Sequence, residues 1–414
     1  MFSRSVVMKT STFELGNFFK NLSQIAVIIT AFVLPISTAA LEVFFIASVI
    51  CCLCAGEWEK KYEILCTNHL ALLFLVFFAL FIVGLSYTVA PLSVALHTLL
   101  KYSKFLFGFF LFSIFTSEKT ARYAVFAFLA AITLTLLLSY GKFFLGCDFL
   151  HQFPNDSGVF KDHIFTGFIL AFASYCYALI AFSTKKWRFI VIILFLLAVY
   201  DVLFINIGRS GYVVFSSLFF LISWQQFRWK GLIVAFLIAI LLFASTLFFS
   251  ETFKARFFIT RSDLQQYDIG NMDTSIGLRL SFYKNSLQLL REHPWIGVGT
   301  GGFTQAYSHR EGSKRWITTN PHNEYLNIAV QFGLLGIIVL FSLFFMHWYT
   351  SFQLVTIQKD FAQAILVSIA VGSLFNSWLM DLTQGIFYVF FTALVFSKPL
   401  RAPLYIRPFS KRGI

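Results

Sequence analysis

Residues 275–302 read S-I-G-L-R-L-S-F-Y-K-N-S-L-Q-L-L-R-E-H-P-W-I-G-V-G-T-G-G, and residues 320–326 read N-P-H-N-E-Y-L. They belong to the one long water-compatible piece of a chain that is otherwise mostly hydrocarbon. Asp273, Thr274 and Ser275 are helix N-cap residues, and Ile276, Leu280, Leu287 and Leu290 repeat at helical spacing. That pattern predicts an amphipathic helix lying along a membrane surface, ended by Pro294, with Arg279 and Tyr283 on one face. Gly297, Gly299 and Gly302 fit G-x-G-x-x-G, but no strand precedes them, so a dinucleotide site is not indicated. A turn linking the surface helix to the next segment is the plainer reading, and its backbone has room to approach a sugar or phosphate. Asn320 as N-cap and Pro321 at the first helical position put His322 in the first turn of the next apolar helix. The positive helix end disfavours imidazolium there, and a neutral histidine can accept a proton. A histidine merely resting at the interface fits the local sequence equally well.

Outward from this piece the chain is apolar. Of its 414 residues 58% are hydrophobic, 19% aromatic and 12% charged, against about 25% charged in a soluble domain. Runs long enough to cross a bilayer recur near 21–36, 39–54, 69–87, 97–115, 121–140, 163–182, 187–206, 210–225, 231–249, 323–347, 361–379 and 383–397. The expected fold is an all-α integral membrane protein of about twelve transmembrane helices. The first run follows Arg4, Lys9 and Lys20 but continues into a second, so it reads as a span and not as a cleaved signal. Pro35 and Ser37 mark either a turn or a kink between the two.

The net charge of +13 does not indicate a nucleic-acid partner. Lys60, Lys61, Lys119, Arg122, Lys185, Lys186, Arg188, Arg228 and Lys230 sit in short alternate connections, the positive-inside pattern. Both termini are then inside. The expected division is transmembrane helices 1–9 over 1–249, one large outer loop with amphipathic helices over 250–322, helices 10–12 over 323–397, and a basic inner tail over 398–414. The six cysteines suggest neither zinc nor disulfides: Cys51, Cys52, Cys54 and Cys66 gather near one span end, Cys147 is alone, and Cys176 is inside a span.

Three further groups carry charge at or inside spans. Arg209 lies in I-N-I-G-R-S-G-Y, between two spans on the outer side, where a lipid-anchoring arginine is least expected. Lys161, Asp162 and His163 form a polar cluster at an outer span start. Lys101 and Lys104 lie within one span; buried cations facing a cavity suit a diphosphate, and snorkelling explains them equally. No Asp-x-Asp or Glu-x-Asp pair stands at an outer span end to hold a metal. Arginines can take the metal's part when a diphosphate leaves.

The segments G-R-S-G at Arg209, G-L-R-L-S-F-Y at Arg279, H-P-W-I-G-V-G-T-G-G-F, and P-H-N-E-Y-L at His322 resemble the bacterial O-antigen ligases, within the wider ligase and polymerase superfamily. The resemblance extends to one large outer loop before the tenth span. It implies a GT-C-like architecture in the inner membrane, with the active site facing the periplasm. It implies transfer of a glycan from undecaprenyl diphosphate to a sugar hydroxyl of lipid A-core, without metal, nucleotide or other cofactor. The family's essential arginines map onto Arg209 and Arg279 and its histidine onto His322. In that reading the arginines hold the diphosphate, His322 takes the proton of the acceptor hydroxyl, and the anomeric configuration inverts. Substrate contacts are expected from Lys161, His163, Tyr283, Asn323, Tyr325, Lys101 and Lys104. Partners are the lipid-linked donor, the lipid A-core acceptor and membrane lipids. The nearest rival is an O-antigen polymerase, although polymerases tend to carry two large outer loops. A protein O-oligosaccharyltransferase usually has a larger outer region toward its C-terminus. A lipid-linked oligosaccharide flippase would have no use for a large outer loop and a helix-start histidine.

Overall fold

The computed structural model describes residues 2–146, 156–268, 270–309 and 318–397. Cys147 and the basic tail at 398–414 lie outside the described residues. Among the described residues the chain is helical and holds no strand. Its helices are α1 (Phe2–Val33), α2 (Thr38–Cys54), α3 (Trp58–Thr67), α4 (His69–Gly84), α5 (Leu92–Ile114), α6 (Glu118–Leu145), α7 (His163–Ser183), α8 (Arg188–Tyr200, continued by a π turn at Asp201–Ile205), α9 (Arg209–Phe249), α10 (Glu251–Asp268), α11 (Ser275–Glu292), α12 (Phe303–Ser308), α13 (Glu324–Ser351), α14 (Thr356–Gly372) and α15 (Leu382–Phe396).

Each expected apolar run falls on one of these helices or on half of a broken one. Six are long and apolar enough to cross a membrane by themselves, and seven are if the α3–α4 pair, bent by 87°, counts as one span. This measure supports six or seven spans among the described residues where twelve are expected. α2 and α15 are apolar but short, and α9 joins two expected runs. The chain is a multi-pass membrane protein by the length and composition of these helices.

Local chemistry explains the breaks. The Pro35–Ser37 region is a turn, and Ser37 Oγ caps α2 by accepting from Ala40 N at 3.3 Å. At the α3–α4 bend Asn68 Oδ1 accepts from Leu70 N and Ala71 N, both at 3.1 Å. α9 folds back at Arg228, whose φ is +57°. There the two halves touch so closely that a Cβ on Gly231 would lie 2.2 Å from Ser223 O. These two halves are the expected runs at 210–225 and 231–249.

The core forms around α7, α14 and α15. In its most apolar stretch α7 is 78% buried, whereas α9 is only 11% buried and presents its aliphatic side chains outward. Lipid tails are as apolar as these helices, so packing and dispersion, more than water exclusion, hold the bundle together. Phe128, Phe168, Phe172, Phe387 and Phe391 interlock largely edge-to-face. Such ring pairs add about 0.5–1.5 kcal/mol each beyond their buried area.

α11 and α12 rest on α13, and α10 packs against α9 and α11. On α11 the buried side chains are Phe282, Ser286 and Leu289, packed with Val298, Phe303, Tyr307 and Val330. This corrects the expected stripe: Leu287 is exposed, and Ile276 and Leu280 line a cavity. α13 breaks at Gly333, which has φ +60°.

Candidate active site

The site starts where α7 and α9 begin. Gly211 packs on α7 so closely that its Cβ would lie 3.0 Å from Gly167 Cα, and a Cβ on Gly208 would lie 2.7 Å from His163 O. The two glycines of G-R-S-G thus let the start of α9 meet the start of α7, which brings Arg209 beside His163. The cluster at 161–163 is split by this arrangement. Asp162 caps α7, its Oδ1 accepting from Phe165 N at 2.8 Å. His163 bonds Asp156 Oδ2 through Nδ1 at 2.8 Å. Lys161 turns inward and donates to Leu34 O at 3.0 Å and Thr383 Oγ1 at 2.8 Å. Burial pushes its ammonium down to about 7 despite the pull of Asp162.

α11 brings Arg279 to the same place. Thr274 Oγ1 caps it by accepting from Gly277 N at 3.1 Å. One turn on from Arg279, the Tyr283 hydroxyl reaches Leu374 O at 3.0 Å and His322 O at 3.3 Å. Burial raises its pKa, with Asn323 and Arg279 opposing, so it stays a neutral donor.

His322 is not in the first turn of α13. The cap is Asn323, whose Oδ1 accepts from Leu326 N at 3.0 Å, and the helix begins at Glu324. His322 precedes it in a left-handed conformation, φ +53°, which costs a residue other than glycine about 1–3 kcal/mol unless its surroundings fix it. They do: Asn320 Oδ1 accepts from His322 N at 2.9 Å, and Phe282 stacks on the ring with centroids 6.1 Å apart. The imidazole Nδ1 lies 3.1 Å from Asn376 Oδ1. Burial lowers the His322 pKa, the hydrogen bond to Asn376 raises it, and the nearby Arg279 lowers it. The direction matches the expected one, but desolvation and not position within a helix turn is its main cause.

Arg209, Arg279, His322, Tyr283, His163 and Asn376 line one cavity of about 510 Å³. The other expected contacts lie outside its lining. Lys104 is buried within α5 and donates to Met380 O at 2.9 Å and Asp381 O at 2.6 Å. Lys101, half-buried three residues earlier on α5, also lies outside it. Asn323 Nδ2 holds Leu374 O at 3.0 Å, and Tyr325 OH donates to Ala370 O at 2.8 Å. Sequence reasoning passed over Asn376, which sits in the short connection between α14 and α15. The one signal was a polar pair, Asn376 and Asp381, flanking apolar residues at a span end. Among the described residues no three His, Cys, Asp or Glu side chains come together as a metal set.

The glycine-rich turn has a different part. A Cβ on Gly297 would lie 2.4 Å from Val330 O, and one on Gly299 would lie 2.4 Å from Thr88 Cα. These glycines let the turn seat itself on α13 and on the segment after α4, and they do not line the cavity.

Residues 194–341 match a protein family described as O-antigen ligase. That stretch contains Arg209, Arg279 and His322. The chain is also 32% identical over 91 residues to an uncharacterized protein of Haemophilus influenzae, a match that covers 20% of this chain and 23% of that protein. The chain thus matches less than a quarter of the length of that curated relative.

Proposed function

We propose, from the match of residues 194–341 to that family, that the chain is a member of the O-antigen ligase/polymerase superfamily and, within it, an O-antigen ligase. In this reading it transfers a glycan from undecaprenyl diphosphate to a sugar hydroxyl of lipid A-core at the periplasmic face of the inner membrane. One observation supports it most: a single cavity of about 510 Å³ gathers Arg209, Arg279 and His322 from three separate parts of the chain. The reading puts residues 250–322 on the periplasmic side and both termini in the cytoplasm. It assigns the chemistry to a GT-C-like site without a metal.

Two guanidiniums beside one histidine suit an anionic leaving group and a proton acceptor. Arg209 and Arg279 grip diphosphate oxygens with paired N–H donors and offset charge as the sugar–phosphate bond breaks. His322 takes the proton from the acceptor hydroxyl, and Nδ1 is engaged by Asn376, which leaves Nε2 for the task. The hydroxyl oxygen attacks the anomeric carbon from the face opposite the diphosphate, so one displacement inverts the configuration. His163 and Tyr283 border the reacting groups from α7 and α11.

The lipopolysaccharide ladder of a strain lacking this gene tests the reading. Loss of a ligase leaves polymerised glycan on undecaprenyl diphosphate and bare core. A core capped with one repeat unit would identify a polymerase instead.

A further inference from the structure

We propose that Asn376 and Asp381 are positioning residues that fix the tautomer of His322, making Nε2 its basic atom; this rests on the reading of His322 as the base. Asn376 Oδ1 lies 3.1 Å from His322 Nδ1, and Asn376 Nδ2 donates to Asp381 Oδ2 at 3.0 Å. A carboxamide can present either end to an imidazole. An ionised carboxylate only accepts, so Asp381 claims the NH₂ end and turns the oxygen toward the ring. An oxygen at Nδ1 requires hydrogen there, and the lone pair is left on Nε2.

The rest of the contact set holds this line in place. Asp381 precedes α15. Lys104, from α5, donates to the carbonyl of Asp381 itself at 2.6 Å. Burial raises the Asp381 pKa; Lys104 and Lys101 oppose that rise and Asp162 adds to it. Ser377 donates to Asn320 Oδ1 at 3.2 Å, and the same oxygen accepts from His322 N. Backbone and ring of His322 are therefore pinned by neighbouring residues of one connection.

An amide placed between carboxylate and imidazole has a specific effect. A carboxylate directly on Nδ1 would favour imidazolium, and a bound diphosphate already pulls that way. The amide passes on orientation without passing on the charge. Arg279, facing His322 from α11, also favours the neutral ring.

The bland alternative is a contact that only shapes the α14–α15 connection. Transfer kinetics on the purified full chain decide between the two, using an undecaprenyl-diphosphate-linked glycan and lipid A-core across a pH series. Asn376→Leu should lower kcat about 100-fold with donor KM unchanged, and Asp381→Asn about tenfold, as for partners that orient a reacting histidine. The exchanged pair, Asn376→Asp with Asp381→Asn, puts a carboxylate on Nδ1. It should return kcat to within about tenfold of wild type and move the acidic limb up by about one pH unit. A purely architectural contact would leave the rate of a folded Asn376→Leu at the wild-type level; the limb shift reports that residue 376 faces the titrating ring. Wild-type kcat in Asn376→Leu, or an exchanged pair with its limb unmoved, overturns the proposal. If Asn376→Leu does not fold, the exchanged pair decides alone. A fully active His322→Gln would overturn the ligase-base reading itself. An inactive His322→Gln beside a fully active Asn376→Leu overturns only the tautomer proposal.

Discussion

Lys104 and Lys161 on one side, and Arg209 and Arg279 on the other, are cations at or near apolar helices, and they meet opposite fates. The lysines are 2% and 9% exposed, and both are taken up by nearby protein acceptors: Met380 O and Asp381 O for one, Leu34 O and Thr383 Oγ1 for the other. The arginines line the cavity. An ammonium is a compact charge with three donors, which two or three oxygens satisfy. A guanidinium is a planar fork with five donors, suited to the paired oxygens of a phosphate. Two cations are thus turned inward onto protein oxygens and two stand at the cavity wall, and sequence position alone does not decide which.

The sharpest way to test that division is at the histidine that shares the cavity with the arginines. His322→Gln keeps size and polarity but lacks a useful base, so kcat should fall about 10²–10⁴-fold. Donor Kd should stay within a few-fold, because both arginines remain; loss of donor binding instead would make His322 part of the phosphate grip. Next come Arg209→Lys and Arg279→Lys, which turn one class of cation into the other. Transfer should drop about 100-fold or more, with the thermal midpoint unmoved. A lysine variant with wild-type rate would reduce that arginine to a point charge.

A smaller effect is expected for Lys161→Met. Leu34 O and Thr383 Oγ1 lose their donor, which should cost about 1–3 kcal/mol of stability. Transfer per folded molecule should be retained; a stable but inactive variant would move Lys161 into the class of the arginines. The smallest effect is the position of the acidic limb. Burial and Arg279 hold the His322 pKa below the ordinary 6.5. The protonated ring is inactive, so activity should rise as pH climbs through a value below 6.5. With donor bound the limb should sit higher, because the diphosphate favours imidazolium. A limb above 6.5 in the free enzyme would mean that a different group titrates.

The helical fold was legible because it depends on run length, and compact motifs marked Arg209, Arg279 and His322, which the structure brings to one cavity. Details set by tertiary contact were not. Asn320 and Pro321 have the chemistry of a helix start, yet Glu324 N bonds Ser373 O at 2.8 Å and Asn323 takes the cap, which pushes His322 out of the helix. Ile276-Leu280-Leu287 and Leu278-Phe282-Leu289 are both apolar at helical spacing, and only the partners Phe303, Tyr307 and Val330 choose between them. Lys161 and His163 are two residues apart and point to different places, which no spacing rule distinguishes. Asn376 and Asp381 gain meaning only when the connection between α14 and α15 folds back over His322.

The break at Gly333 has a consequence for timescale. Leu334 N and Leu335 N donate to Pro294 O and Trp295 O at 2.7 and 3.2 Å, and Val298 N and Gly299 N donate to Val330 O and Gln331 O at 2.9 and 2.8 Å. Main chain of the glycine-rich turn is thereby stitched into main chain of a long apolar helix. Amide protons on both sides of this seam should exchange with deuterium as one cooperative unit, with lifetimes typical of buried helices and not of a surface loop.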